Sequence, residues 1–183
     1  MSYEAALSKA WGEIERLSVK KSFAVKFFSD EYDVDAVSRK IIFLFGNIPA
    51  KDFVSILLLH YLEQKLKGLP GLSGEWISFK ELESGEAYYP AFRKRAIEPI
   101  LKKYGSKPEG VFSVLDKGIA QKIDQADAAV TVEAFTGVPI IVEIWKGDDE
   151  FGPEANMLFD RSIAKIFCTE DVAVLGGFVA KYV

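Results

Sequence analysis

Apolar residues at three-to-four spacing open the chain. Ala6, Ala10, Ile14 and Leu17 fall on one face of a helix over Tyr3–Leu17, with Glu and Lys on the other. Trp11 lies near that face and reads as a packing anchor, with ligand stacking as the alternative. From Phe23 to Phe28 the apolar positions alternate, which predicts a strand. Asp30–Asp33 then reads as a turn, and Val37–Phe45 as a second strand whose apolar end, IIFLF, suggests cover on both sides. Phe53–Lys67 is apolar almost all round its first turns, the mark of a buried central helix. Asp52 or Asn47 is placed to cap it, and Gly68 and Pro70 end it.

The second half is more broken. Gly68–Gly85 is a glycine-rich stretch holding Trp76-Ile77-Ser78-Phe79, read either as a functional loop or as a short edge strand. Pro90 suits the first position of a helix over Ala91–Tyr104, which Pro99 must kink or divide. Val111–Leu115 reads as one element and Asp116–Lys122 as a short helix. Ala128–Phe135 alternates, Thr136-Gly137 turns the chain and Val138–Trp145 returns as an apolar strand, which predicts an antiparallel hairpin. A short amphipathic turn runs up to Asp160, and Asp160–Phe167 reads as a last short element. A C-terminal helix follows, capped by Thr169, with Glu170 and Asp171 in its first turn. Gly176-Gly177 lowers its propensity, so it needs a close neighbour.

These elements predict an α+β fold: one domain over residues 1–183, with a mainly antiparallel sheet of about four to six strands and packed helices. At 183 residues the chain can bury most of its apolar surface. Its net charge of −4 argues against a nucleic acid partner. No apolar run approaches the roughly 18–20 residues of a membrane span, and the N-terminus lacks a signal-peptide pattern. A soluble cytoplasmic protein is the expectation.

One cysteine and one histidine exclude more than any other count. A single chain can build neither a disulfide nor a four-cysteine metal site. His60, inside the apolar helix, reads first as a core or boundary group, with Glu63 as its only local charged neighbour. Cys168 precedes the last helix and is either a stabilised thiolate or a buried inert thiol. Arg93, Lys94, Arg95, Lys102 and Lys103 form the one basic cluster, either a solvated helix face or an anion-binding surface. No phosphate-binding glycine loop or nucleophile elbow is present.

The densest candidate chemistry lies between Val138 and Asp160. An apolar strand runs into Trp145, followed by Asp148, Asp149, Glu150 and Phe151. Adjacent acids in a turn commonly face water. Held against apolar surface they can also bind a cation or divide acid and base roles. The expected site comprises Trp145, Asp148, Asp149, Glu150 and Phe151, with Trp76, Tyr88 and Tyr89 as aromatic walls.

His60-Tyr61-Leu62, Trp76–Phe79 with Glu81-Leu82, Tyr88–Phe92, Ile144–Phe151, Leu158-Phe159-Asp160 and Thr169-Glu170-Asp171 together resemble an uncharacterised domain-of-unknown-function family of anaerobic bacteria and archaea. The resemblance covers nearly the whole chain, and WKGDDEF…LFD is its most specific string. It implies that the acidic turn is a family feature and supplies no catalytic residues. Some members carry an iron–sulfur domain like that of corrinoid proteins, which implies a link to anaerobic one-carbon metabolism; the cysteines for such a domain are absent from this sequence.

The leading expectation is a non-catalytic ligand-binding or accessory protein, with a small molecule or a corrinoid-related protein as partner. One alternative is a metal-assisted hydrolase using the acids of 148–160. Another is a homo-oligomeric assembly module, such as a homodimer, without catalysis. No cofactor and no metal-ligand set can be named from the sequence.

Overall fold

A computed structural model describes residues 3–183. After helix α1 (Tyr3–Leu17) the chain folds as a four-stranded antiparallel meander, β1 (Ser22–Phe27), β2 (Asp30–Asp35), β3 (Lys40–Phe43) and β4 (Ile48–Pro49). The segment expected as a turn, Asp30–Asp33, is therefore strand. Its alternation was masked by aspartates: Tyr32 and Val34 are buried while the acids between them face outward. The real turn is Phe28-Ser29, where Phe28 takes a φ of 53° and still buries its ring. The strand expected over Val37–Phe45 is correspondingly shorter. Asp35 turns the chain before it, accepting hydrogen bonds from the backbone of Val37 and Ser38.

Helix α2 (Asp52–Gly68) buries Val54 through Leu59, then Tyr61 and Leu62, as its apolar run demands. Neither expected cap is used: Lys51 precedes the first turn without a side-chain hydrogen bond, and Asp52 lies inside that turn. Trp11 of α1 is buried, in keeping with a packing anchor.

The second sheet has five strands in the order β5-β9-β8-β7-β6. Strands β7 (Ala128–Phe135) and β8 (Val138–Trp145) form the expected hairpin. Strand β5 (Trp76–Ser78) realises the edge-strand reading of the glycine-rich stretch. Two elements differ from expectation. Ala120–Ile123 is strand β6, where the sequence pattern predicts the end of a short helix. Glu154–Asp160 is strand β9, where the sequence predicts a short amphipathic turn. In β9 Met157 and Phe159 alternate inward against Asn156 and Leu158, so Asn156 and Asp160 share a strand face and not a helix face.

Val130, Val132, Ile140, Val142, Ile144, Met157 and Phe159 form one fully buried face of this sheet. The helix expected over Ala91–Tyr104 begins earlier. Helix α3 (Gly85–Phe92) contains Pro90 in its interior, a five-residue π stretch follows (Arg93–Ile97), and α4 (Glu98–Tyr104) completes it. Pro99 lacks an N–H to continue the ordinary ladder, and the wider π turn comes just before it.

Helix α5 (Thr169–Tyr182) ties the parts together. A Cβ on Gly176 would lie 2.6 Å from Phe92 and 3.3 Å from Ala96, so its glycine lets α5 press against the π stretch. This is the close neighbour that Gly176-Gly177 required. Rings from both sheets and two helices converge beside it: Phe27 stacks on Phe135 at 4.6 Å, Tyr61 on Phe135 at 4.5 Å, and Phe28 on Tyr182 at 4.1 Å. The single expected sheet is thus two, joined by an aromatic seam. Among the described residues no helix is long and apolar enough to cross a membrane.

Candidate functional site: a groove beside the free half of β9

Strand β5 pairs with β9 only at Leu158–Asp160. The other half of β9, Glu154–Met157, has β8 on one side and no strand on the other. Arg161 donates to the Glu75 carbonyl across the β5 side, so by alternation the backbones of Met157 and Ala155 face that same edge. The Met157 N–H is occupied locally by the Asn156 side-chain oxygen, at 2.9 Å. This blunts the edge.

Between that edge and the α3–α4 helix lies a groove of about 490 Å³. Tyr89, Arg93, Ile97 and Leu101 line it from the helix. Trp145, Pro153, Ala155 and Asn156 line it from the sheet and loop. Tyr89 is oriented by Phe92 beside it and by Lys80, whose ammonium sits 4.4 Å from the ring centre. Arg93 makes only a loose, exposed contact with Glu98, at 3.9 Å, which leaves its guanidinium available. The carboxylate of Glu154 lines it as well, so the arrangement offers two aromatic surfaces, one cation and one acid in a largely polar groove.

Of the expected site residues, Trp145 and Tyr89 come together here. Trp145 is 36% exposed at the end of β8. Asp148, Asp149, Glu150 and Phe151 lie on the exposed loop that then supplies Pro153 to the groove. Asp148 serves its own turn. It accepts from the backbone of Phe151 at 2.7 Å and Glu150 at 2.8 Å, and these bonds hold its carboxyl below the usual range. Gly147 is required there, because a Cβ would come within 2.7 Å of the Pro153 nitrogen. Asp149 and Glu150 are exposed, and Phe151 is 70% exposed. Trp76 lies apart, across the β5–β9 ladder from Asp160. Tyr88 lines a different hollow, beside Cys168 and Glu170.

Asp160 ends the same segment and, unlike Asp148, is buried and bonds to a distant loop. It is 3% exposed and accepts hydrogen bonds from Ser73 N, Ser73 Oγ, Gly74 N and Ser162 N. Burial opposes its charge, yet these donors outweigh burial and hold the carboxyl far below the usual range. Its role is to lock the glycine-rich loop onto β9.

Two further groups have environments that only the folded chain reveals. His60 Nδ1–H donates to Asp171 Oδ2 at 2.7 Å, linking α2 to α5. Asp171 is 7% exposed. Burial lowers the imidazole's proton affinity, but the Asp171 carboxylate prevails and raises its pKa above 6.5. Glu63, the neighbour expected from sequence, adds its charge to this rise and also accepts from Lys67. Glu143 is 9% exposed in the middle of β8, with Asn156 as a distant donor at 3.5 Å, and burial raises its pKa. A lone acid inside VPIIVEIW was the visible signal for it.

Cys168, not Thr169, takes the capping position of α5, while the Thr169 hydroxyl donates to the Glu83 carbonyl at 2.7 Å. Desolvation of the sulfur and the adjacent Asp171 charge push the Cys168 thiol up to about 12. This direction disfavours the stabilised-thiolate reading, while the exposure of the side chain departs from the buried-thiol alternative. Among the described residues, no group of three or more His, Cys, Asp or Glu side chains is gathered where it could hold a metal ion.

No curated protein and no solved structure matches the chain. Residues 13–182, however, match the family model described as a domain of unknown function, DUF3786, and the chain belongs to that family.

Proposed function

We propose that the chain is a ligand-binding or accessory protein and that its ligand enters the groove beside β9. The observation that carries this reading is the meeting of Trp145 and Tyr89, from separate elements, in one groove with Arg93. A planar group stacks on the rings while an anionic substituent meets the guanidinium. Asp149 and Glu150, on the loop just before the lining, act at the rim and select against highly anionic ligands. The groove's volume suits a small molecule.

Binding is favoured over metal-assisted hydrolysis because the acids of 148–160 are dispersed in use. Asp148 is bonded into its turn and Asp160 into the glycine-rich loop. The test is a thermal-shift screen of corrinoids, nucleotides and small anions, followed by tryptophan fluorescence titration of each hit. Trp145→Ala and Arg93→Ala should each weaken a true groove ligand about ten-fold or more. Hits that bind both variants as well as the parent place the site elsewhere. Asp149→Ala and Glu150→Ala should change the preference among anions; unchanged affinities would remove the acidic loop from the site.

A further inference from the structure

We propose that the protein has a second ligand site, an apolar hollow between α2, α4 and α5, and that it takes an amphipathic acid: an apolar body with one anionic head. The hollow measures about 420 Å³, within the range of small-molecule sites. Phe53 of α2 and Val174 and Phe178 of α5 form its apolar walls. Two cations, Arg95 and Lys181, also line it, and no carboxylate does.

Neither cation is committed elsewhere. Among the described residues Arg95 forms no ion pair, and Lys181 is engaged only with the Phe178 ring, 5.5 Å from its centre. Gly177 is what lets Arg95 lie there. A Cβ at 177 would come within 2.8 Å of Arg95 Cγ, so the bare backbone of α5 makes room for the arginine stem. The walls are firm. Phe178 is backed by Phe27 edge-on at 5.2 Å and flanked by Phe53 at 5.8 Å. The basic cluster noted in the sequence thus divides, with Arg93 facing the β9 groove and Arg95 facing this hollow.

Apolar walls favour a hydrocarbon or ring body, and two unpaired cations favour one negative head over a neutral or positive one. A free acid of this kind and an anionic lipid in a bilayer share this chemistry. A half-open hollow with only two cations, instead of an extended basic face, favours the free acid.

The test uses decanoate and decan-1-ol below their aggregation limits, by calorimetric titration of the full chain, with sedimentation against phosphatidylglycerol vesicles in parallel. Decanoate should bind at least ten-fold more tightly than decan-1-ol. Arg95→Gln with Lys181→Gln should remove that ten-fold preference, and Val174→Trp should abolish binding of both. Trp145→Ala should leave decanoate affinity as it is while weakening any β9-groove ligand, which separates the two sites. Should Val174→Trp fail to fold, the double charge variant alone decides, since both its positions are exposed. The proposal is overturned by absent decanoate binding, by equal binding of the alcohol, by indifference to the charge variant, by binding to vesicles only, or by self-association through this face that decanoate does not reverse.

Discussion

The groove beside β9 and the hollow beside α5 share one wall. Arg93, Ile97 and Leu101 face the first, while Arg95 and Pro99 of the same continuous helix face the second. What differs is the opposing surface. The groove meets a strand edge and an acid-bearing loop, so polar groups surround its aromatic pair. The hollow meets α5 where glycine replaces side chain, so it is apolar with cations at its margin. One helix can therefore serve two chemistries, and the choice lies in what packs against it. The π stretch makes this practical, because its wider turn distributes neighbouring residues to different sides.

Disturbing each opposing surface in turn tests this picture. The largest effect is expected at Asp160. Asp160→Ala leaves four donors of the glycine-rich loop and the turn after β9 without their acceptor, and should cost about 3 kcal/mol in urea unfolding. Ligand binding in the β9 groove should suffer while decanoate binding at α5 persists. A loss below about 1 kcal/mol would mean that water replaces the carboxylate.

His60 comes next. His60→Gln removes the partner of a buried carboxylate between α2 and α5, the two helices that wall the hollow. The cost should be about 2 kcal/mol at pH 6, reduced from that of a fully buried pair because the ring is partly exposed. Its folded pKa lies above 6.5, so the pair's contribution is complete below pH 6.5 and fades as the pH rises through the folded value. Parent and variant stabilities should therefore converge as the pH rises past that value. A constant gap from pH 5 to 9 would show that His60 acts by packing alone.

Gly176→Ala should have the smallest effect. The added methyl gains helix propensity, about 1 kcal/mol, but meets the buried Phe92 ring. The net should be a loss of about 1 kcal/mol with a measurable change in decanoate affinity. A more stable variant would show that α5 can shift without cost.

Legibility in the sequence followed the range of the interactions. Helices α1, α2 and α5 and the β7–β8 hairpin were visible because periodicity and turn residues are local signals. Strand β2 was hidden because aspartates, disfavoured in strands, occupy its outward positions. Strand β9 was hidden because its inward residues are few and follow an acidic turn. In the candidate site, Trp145 and Tyr89 were picked out as aromatic groups in or beside irregular segments. Arg93 was noted only as part of a basic helix face. The acids stand out by density, yet Asp148 serves its own turn and Asp160 anchors the distant glycine-rich loop. His60 and Asp171 stand 111 residues apart, and nothing in either neighbourhood announced the other.

From the order of residues alone came the α+β class, the buried central helix, the strand hairpin and the need for a close neighbour at Gly176-Gly177. These rest on spacing of 2 or 3.6 residues and on backbone freedom, which each short segment carries within itself. Folding in three dimensions settled the division into two sheets, the free half of β9, the His60–Asp171 link and both hollows. Those depend on which surfaces meet, and contact between distant segments is set by the packing of the whole core.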